Sequence, residues 1–187
     1  MKKLNFVWTL IAVILIFLIS YGIDQPVNSF VENLRFTQLD FIFSIITNFG
    51  FVVLIMLIVP IIVLYQKNKN KSYLLLLAFI LSVVTSFIIK LIFLRQRPNE
   101  LITYPFINMV DYSFPSMHAA VIFSLLPILI KYLPRQKYFW IVLVVLVAFT
   151  RIYFGFHFLS DVVFGALLGY FIGNYLLRMS EKKKLWL

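Results

Sequence analysis

The sequence predicts an all-α integral membrane protein: a bundle of six transmembrane helices, with a short interfacial helical segment after the first span. Composition is the first reason. Of 187 residues, 63% are hydrophobic and 13% are charged, and the mean hydropathy is +0.99. Soluble domains carry about 25% charged residues, and one core of this size could not bury so much apolar surface. A soluble globular domain and a disordered chain are therefore both excluded.

The second reason is the length of the apolar runs, since a spanning helix needs about 20 apolar residues. Six runs qualify, at residues 5–23, 50–66, 73–94, 116–133, 138–154 and 157–177. The first run follows two lysines but is too long for a signal peptide and has no small-residue cleavage site, so we expect an uncleaved span. Residues 1–187 are predicted to form a single membrane-embedded domain.

Segment 24–48 differs from the spans because it mixes charged with apolar side chains. Asp24, Glu32 and Arg35 alternate there with residues such as Phe30 and Leu34. This pattern favours an amphipathic helix lying at the membrane interface. The alternative is an early start to a tilted second span.

The basic residues predict the orientation in the membrane. Six spans place both termini on one side, and that side carries 12 of the 17 lysines and arginines. By the positive-inside rule it is cytoplasmic, so we expect a multi-pass plasma-membrane protein with Lys67 facing inward and Glu100 outward. The net charge of +10 then reports topology, and we expect membrane lipids rather than nucleic acid as partners. The sequence does not indicate an oligomeric state.

Ionisable residues on the outer side are candidates for function, because charges within apolar helices are costly. Lys90 and Arg97 are seven residues apart and so share a face of the third span, which we expect to end at Arg97-Pro98. Lys90 lies too deep to reach the headgroups. Arg95, by contrast, is expected to extend to the headgroups from the helix end.

The fourth span opens with a sequence typical of a helix start. Ser113 is a plausible cap and Pro115 suits the first turn, so the N–H groups of Ser116, Met117 and His118 are expected to point outward. A helix N-terminus of this kind binds anions. The alternative is ordinary capping, with His118 merely at the interface.

The sixth span begins with a second histidine. His157 and Asp161 are four residues apart, so the carboxylate is expected to hold one imidazole nitrogen and raise the basicity of the other. Arg151 ends the fifth span on the same side. The alternative is a buried pair made for packing. Further along, Gly165, Gly169 and Gly173 predict close helix packing.

Three cations, two histidines and a helix N-terminus would thus meet at one rim. This combination indicates a site for a multiply charged anion, and phosphate fits best. The carboxylates needed for Mg²⁺ or Ca²⁺ are not clustered, and the surrounding cations disfavour zinc. The absence of cysteine excludes disulfides and a thiolate nucleophile.

These residues resemble the three motifs of the type 2 phosphatidic acid phosphatase superfamily, over a motif core at residues 90–161. Lys-x6-Arg-Pro is matched by Lys90 through Arg97-Pro98, and Pro-Ser-Gly-His by Pro115 through His118. Ser-Arg-x5-His-x3-Asp is matched by Thr150-Arg151, His157 and Asp161. Met117 replaces the usual Gly, and Thr150 replaces Ser.

The resemblance implies a lipid phosphate phosphatase with an outward-facing site and no metal or other cofactor. His157 would attack phosphorus, Asp161 would orient it, and His118 would protonate the leaving oxygen. The phosphate would be held by Lys90, Arg97, Ser116, Met117 and Arg151. Undecaprenyl pyrophosphate and phosphatidylglycerol phosphate are both compatible substrates. A transporter or channel with an anion site is the alternative function.

Overall fold

The computed structural model describes residues 2–99 and 111–182, and throughout these ranges the regular structure is helical, without strands. The helices, numbered in chain order, are α1 Lys2–Gly22, α2 Asp24–Glu32, α3 Thr37–Thr47, α4 Phe49–Lys67, α5 Lys69–Phe93, α6 Met117–Tyr132, α7 Lys137–Tyr153 and α8 Leu159–Lys182. Glu100, for which an outward position was predicted, lies outside the described residues.

Four of these segments are long and apolar enough to cross a membrane: Phe49–Lys67, Lys69–Phe93, Pro134–Tyr153 and Leu159–Lys182. A fifth arises if α1 and α2, which meet at a bend of 56°, are taken as one broken span. The prediction of a multi-pass helical membrane protein is confirmed. Among the described residues there are four or five candidate spans, so the predicted count of six is not confirmed; α6, with only 16 residues, is too short to qualify.

Helix α6 is short because it occupies the centre of the bundle. Ten of its 16 residues are buried, and α5, α7 and α8 pack around it. At 1.5 Å per residue its length is about 24 Å, less than the roughly 30 Å of hydrocarbon. Most of the apolar surface of α6 is therefore covered by neighbouring helices rather than by lipid.

The glycines of α8 allow it to lie directly against α6, as predicted. A Cβ atom on Gly165 would come within 2.5 Å of the Ser116 carbonyl oxygen, and one on Gly169 within 2.0 Å of the Ala120 carbonyl oxygen. Gly173 meets the carbonyl of Ser124 in the same way, at 2.1 Å. No side chain fits at these points, so the two helices are fixed side by side along most of α6.

Segment 24–48 forms two helices that are separate from α4. Asn48 is extended (φ −59°, ψ 122°), and its side chain accepts a hydrogen bond from the Phe51 N–H, which caps α4. The alternative of one continuous, tilted second span is therefore wrong. Phe30 and Phe41 are exposed on these helices while Asp24 is buried.

Three predicted helix ends are corrected. Helix α5 ends at Phe93, because Leu94 adopts a left-handed conformation (φ 49°) before Pro98 can act. Helix α6 is capped at Ser116, not at Ser113, and α8 begins at Leu159 rather than His157. The connections at these ends, rather than helix faces, therefore carry several of the site residues.

Candidate active site

A cavity of about 190 Å³ lies where α5 ends and where α6 and α8 begin. It is lined by Phe49, Lys90, Arg97, Asp111, Met117, His118, Arg151 and His157. Six of the eight predicted site residues are in this lining. The other two, Ser116 and Asp161, are fully buried and make their contacts behind it.

Lys90 and Arg97 meet without sharing a helix face. Lys90 is on the last turn of α5 and only 3% exposed, as its predicted depth requires. Arg97 follows the left-handed residue Leu94, which ends the helix, and its Nη1 donates to the Phe156 carbonyl at 2.6 Å. The connection after α5, and not helical periodicity, thus places Arg97 beside the same cavity as Lys90.

Asp111 binds both of these cations and was given no role by the sequence analysis. Its Oδ1 lies 2.8 Å from the Lys90 ammonium, and its Oδ2 lies 2.6 Å from Arg97 Nη2. The backbone of Asp111 also binds Arg97, because its carbonyl accepts a hydrogen bond from Arg97 Nε at 2.8 Å. The need of buried cations for a counter-charge was the signal that could have identified this residue.

Arg151 supplies the third cation, from the last turn of α7. It is buried, and its Nη1 donates to the Thr47 hydroxyl at 2.6 Å. Its Nε is buried and has no hydrogen-bond partner among the described residues. An unsatisfied donor on a buried cation in a cavity wall is suited to an anionic ligand. The hydroxyl of Thr150, the family's Ser position, instead bonds back to the Val147 carbonyl.

His157 lies in the connection between α7 and α8 and is 2% exposed. Its Nε2 is 3.4 Å from Arg97 Nη1, and its Nδ1 is 3.4 Å from the Ser113 hydroxyl. A guanidinium only donates, so Nε2 must carry the lone pair and Nδ1 the proton. Burial, and then the charges of Arg97 and Arg151, hold the pKa of His157 well below its ordinary value, which keeps the ring neutral.

The predicted direct hydrogen bond between His157 and Asp161 is not formed. Their closest atoms, Nδ1 and Oδ2, are 3.8 Å apart, which is too far for a hydrogen bond. The Ser113 hydroxyl lies between them and donates to Asp161 Oδ2. The reason is that α8 starts after His157, so the pair is not held at helical spacing, and Asp161 Oδ2 instead accepts the Phe158 N–H at 2.9 Å.

Arg95 was predicted to extend to the headgroups, but the structure places it elsewhere. Its Nη1 lies 2.6 Å from Asp161 Oδ1, and its Nη2 lies 2.7 Å from Asp24 Oδ2. Both carboxylates are buried, so the arginine is held between them rather than at the membrane surface. Sequence spacing gave no sign of this, because Asp24 and Arg95 are 71 residues apart.

His118 lies in the first turn of α6 and lines the same cavity as His157. Its Nε2 donates to the Thr47 carbonyl at 3.1 Å, and the Phe49 ring packs edge-on against it at 4.9 Å. Neither partner was predicted. The Ser116 N–H was expected to point outward and be available to an anion. It instead donates to the Asp161 carbonyl at 3.0 Å. The Met117 side chain, where the family has Gly, lines the cavity and packs on the core.

The model of the PAP2 superfamily matches residues 71–185, which is more than half of the chain. The chain belongs to the PAP2 superfamily. The family prediction made from the three motifs is therefore confirmed, and it covers every predicted site residue.

Relatives of this PAP2 chain include an undecaprenyl-diphosphatase from Sulfolobus acidocaldarius, 26% identical over 121 residues. The match covers 62% of this chain and 58% of that protein, so the chain spans less than two thirds of its length. The fold resembles a transmembrane PAP2-type phosphatidylglycerolphosphate phosphatase from Bacillus subtilis, with a TM-score of 0.69, 25% identity and coverage of 92% and 96% of the two chains. It also resembles LpxE from Aquifex aeolicus, with a TM-score of 0.70, 28% identity and coverage of 83% and 95%.

Replacing Asp111 by Asn should strengthen anion binding in the cavity. The change keeps the side chain's shape but removes the negative charge that Lys90 and Arg97 now bind. We expect inorganic phosphate to bind about tenfold more tightly, equivalent to about 1.4 kcal/mol. Calorimetric titration of the detergent-purified variant measures this. Glu32→Gln, an exposed carboxylate on α2, is the matched control and should bind as the wild type does. Equal or weaker binding by Asp111→Asn would show that its carboxylate does not compete for these cations.

Proposed function

We propose that this chain is a membrane lipid phosphatase that hydrolyses a lipid phosphomonoester or pyrophosphate without a metal, through a phosphohistidine. The observation that carries the proposal is the position of His157 Nε2, which lies 3.4 Å from Arg97 Nη1. Its Nε2 lone pair is on the side of Arg97, and three cations line the same cavity. A neutral imidazole beside a cation-rich pocket has the properties of a nucleophile for a bound phosphoryl group.

In the first step Nε2 of His157 attacks phosphorus, forming an N–P bond as the bond from phosphorus to the leaving oxygen breaks. Lys90, Arg97 and Arg151 neutralise the negative charge on the phosphoryl oxygens. The proton on Nδ1 stays on the ring, where Ser113 and Asp161 stabilise the positive charge that the ring acquires.

His118 begins the reaction as the imidazolium and supplies the proton for the leaving oxygen. Its Nε2–H donates to the Thr47 carbonyl, which orients the ring, and its second proton, on Nδ1, passes to the leaving oxygen. In the second step a water molecule attacks phosphorus, His118 takes its proton, and the N–P bond breaks. Inorganic phosphate is released and both histidines return to their starting states.

The substrate is a lipid carrying a terminal phosphate, and undecaprenyl pyrophosphate and phosphatidylglycerol phosphate are the two candidates. The name of the Sulfolobus acidocaldarius relative, an undecaprenyl-diphosphatase, supports the first lipid. The name of the Bacillus subtilis protein, a phosphatidylglycerolphosphate phosphatase, supports the second. In this proposal the residues of the cavity bind the phosphate group, which the two lipids share. A transporter or channel is disfavoured, because the charged groups gather at one end of the bundle and the family is one of phosphatases.

We also propose six membrane crossings, with both termini cytoplasmic and the cavity on the outer face. Helix α6 counts as a crossing in this scheme although it is short, and α2 and α3 lie at the outer interface. The excess of lysines near the α4–α5 turn and in the C-terminal tail supports this orientation.

The proposed activity is tested by measuring phosphate release from a panel of lipid phosphates by the purified protein in detergent. Release should persist in excess chelator, since the cavity is lined by cations, and vanadate should inhibit it. His157→Ala protein serves as the blank for contaminating phosphatases. Loss of activity in chelator that Mg²⁺ or Zn²⁺ specifically restores would contradict a metal-independent reaction, and no release from any lipid would contradict the function.

The roles of the two histidines should separate with the leaving group. His157→Ala should abolish release from every substrate, because no N–P bond can form. His118→Ala should be strongly impaired on a lipid phosphate but largely rescued on a nitrophenyl phosphate, whose leaving anion needs little protonation. Steady-state rates on both substrates provide the measurement.

Folding of both histidine variants is checked by monodisperse elution in detergent. Asp161→Asn should also remain folded and lose most of its rate on both substrates, since it acts on the nucleophile rather than the leaving group. Equal rescue of the two histidine variants, or rescue of neither, would refute the assignment of nucleophile and acid.

The proposed topology predicts which single cysteines a membrane-impermeant reagent reaches in intact cells. The chain contains no native cysteine, so labelling is unambiguous. Glu100→Cys should be labelled from outside, and Lys67→Cys only after the cells are permeabilised. The opposite pattern would show that the orientation is reversed.

A further inference from the structure

Behind His157, three charged side chains from distant parts of the chain form one buried cluster. Arg95 Nη1 lies 2.6 Å from Asp161 Oδ1, and Arg95 Nη2 lies 2.7 Å from Asp24 Oδ2. Asp161 is fully buried and Asp24 is 4% exposed. The guanidinium also stacks on the Phe158 ring at 4.1 Å. A planar fork held by two carboxylates and a ring has little freedom to rotate.

Asp24 also caps the helix that carries Asp161. Its Oδ1 accepts the Ser160 N–H at 2.8 Å, and its Oδ2 accepts the Ser160 hydroxyl at 2.6 Å. Ser160 is in the first turn of α8, where backbone N–H groups have no partner within the helix. A carboxylate from α2 therefore anchors the start of α8 as well as the arginine.

This arrangement fixes how Asp161 meets the nucleophile. Its Oδ1 is held by Arg95, which turns Oδ2 toward the Ser113 hydroxyl and the Phe158 N–H. The backbone carbonyl of Arg95 accepts the Ser113 N–H at 2.7 Å, so the same residue also positions the serine. Without Arg95, a fully buried carboxylate would lack its cation and would rotate or take up a proton.

We propose that Asp24 and Arg95 are positioning residues for the phosphoryl transfer, acting through Asp161 and Ser113 to hold His157 with Nε2 toward the cavity. This inference rests on the proposed function, in which His157 is the nucleophile. Asp24 lies outside residues 71–185, which match the family model. The N-terminal part of the chain is therefore a working part of the reaction centre and not only a membrane anchor.

Asp24→Asn is the decisive variant, because the amide keeps the shape and can still accept the Ser160 N–H while losing the charge that fixes Arg95. Its kcat on a nitrophenyl phosphate should fall at least tenfold while KM changes by less than about twofold, since neither residue lines the phosphate cavity. Arg95→Lys should behave alike, because an ammonium keeps the charge but cannot span both carboxylates. Glu32→Gln on the same helix and Arg35→Lys, both exposed, are the matched controls and should keep the wild-type kcat.

A double variant separates positioning from general damage. If Asp24 acts through Asp161, then Asp24→Asn should cost little further rate in an Asp161→Asn background, measured by single turnover. A wild-type kcat in Asp24→Asn, or losses that multiply in the double variant, would overturn the inference. If Asp24→Asn does not elute as a folded species, Arg95→Lys carries the same test. If both variants fail to fold, the cluster is structural and the inference is wrong.

Failure of this inference differs from failure of the proposed function. Wild-type protein that releases no phosphate from any substrate contradicts the function, and the inference is rejected with it. Wild-type protein that is active while Asp24→Asn is equally active contradicts the inference alone.

Discussion

The contact between α6 and α8 is the constraint on which the site depends. Gly165, Gly169 and Gly173 let the backbones touch, and this contact starts at the first turn of α6. The N-terminal ends of the two helices therefore meet, with His118 just inside one and His157 just before the other. The two histidines face one cavity because the helices are in register, not because they are close in sequence. A side chain at any of these glycines would push the two helices apart.

The sequence predicted which residues gather but not how they are held. The motif spacing identified Lys90, Arg97, Arg151 and both histidines, and all of them line one cavity. That success has a physical basis, because ionisable residues buried within a membrane bundle are costly and therefore usually mark functional sites. The family match confirms the family that the motifs predicted.

Local geometry at the helix ends could not be predicted. Periodicity carried α5 through to Arg97, whereas Leu94 leaves the helix three residues earlier. The i, i+4 relation of His157 and Asp161 suggested a direct hydrogen bond, but His157 precedes the helix and Ser113 lies between them. The apolar periodicity that predicts a helix can continue past its end, so it does not show at which residue the connection to the next helix begins.

Partners distant in sequence were missed for a different reason. Asp24 reaches Arg95 across 71 residues and Ser160 across 136, and no local pattern encodes such a pairing. The mixed charges of segment 24–48 indicated an interfacial helix, which accounts for its exposed aromatic residues but not for a buried carboxylate. The sequence around Asp24 does not indicate which distant residue its carboxylate contacts.

The charge balance around His157 explains why the site needs two layers of carboxylates. Lys90, Arg97 and Arg151 would repel one another in a low-dielectric cavity, and Asp111 offsets this repulsion by binding both Lys90 and Arg97. A bound phosphate brings its own negative charge and can take that place.

In the proposed mechanism the second layer serves the ring rather than the phosphate. If His157 forms the proposed N–P bond, its imidazole becomes cationic in a cavity that three other cations already line. Asp161, whose Oδ2 lies 3.8 Å from the ring Nδ1, supplies a compensating charge, and for this role it must stay ionised and keep its orientation while buried. Arg95 favours the ionised form, and Asp24 offsets the positive charge that Arg95 adds. In the proposed reaction, the alternating charges of Asp161, Arg95 and Asp24 thus allow a cation to form at His157 in a site that is itself cationic.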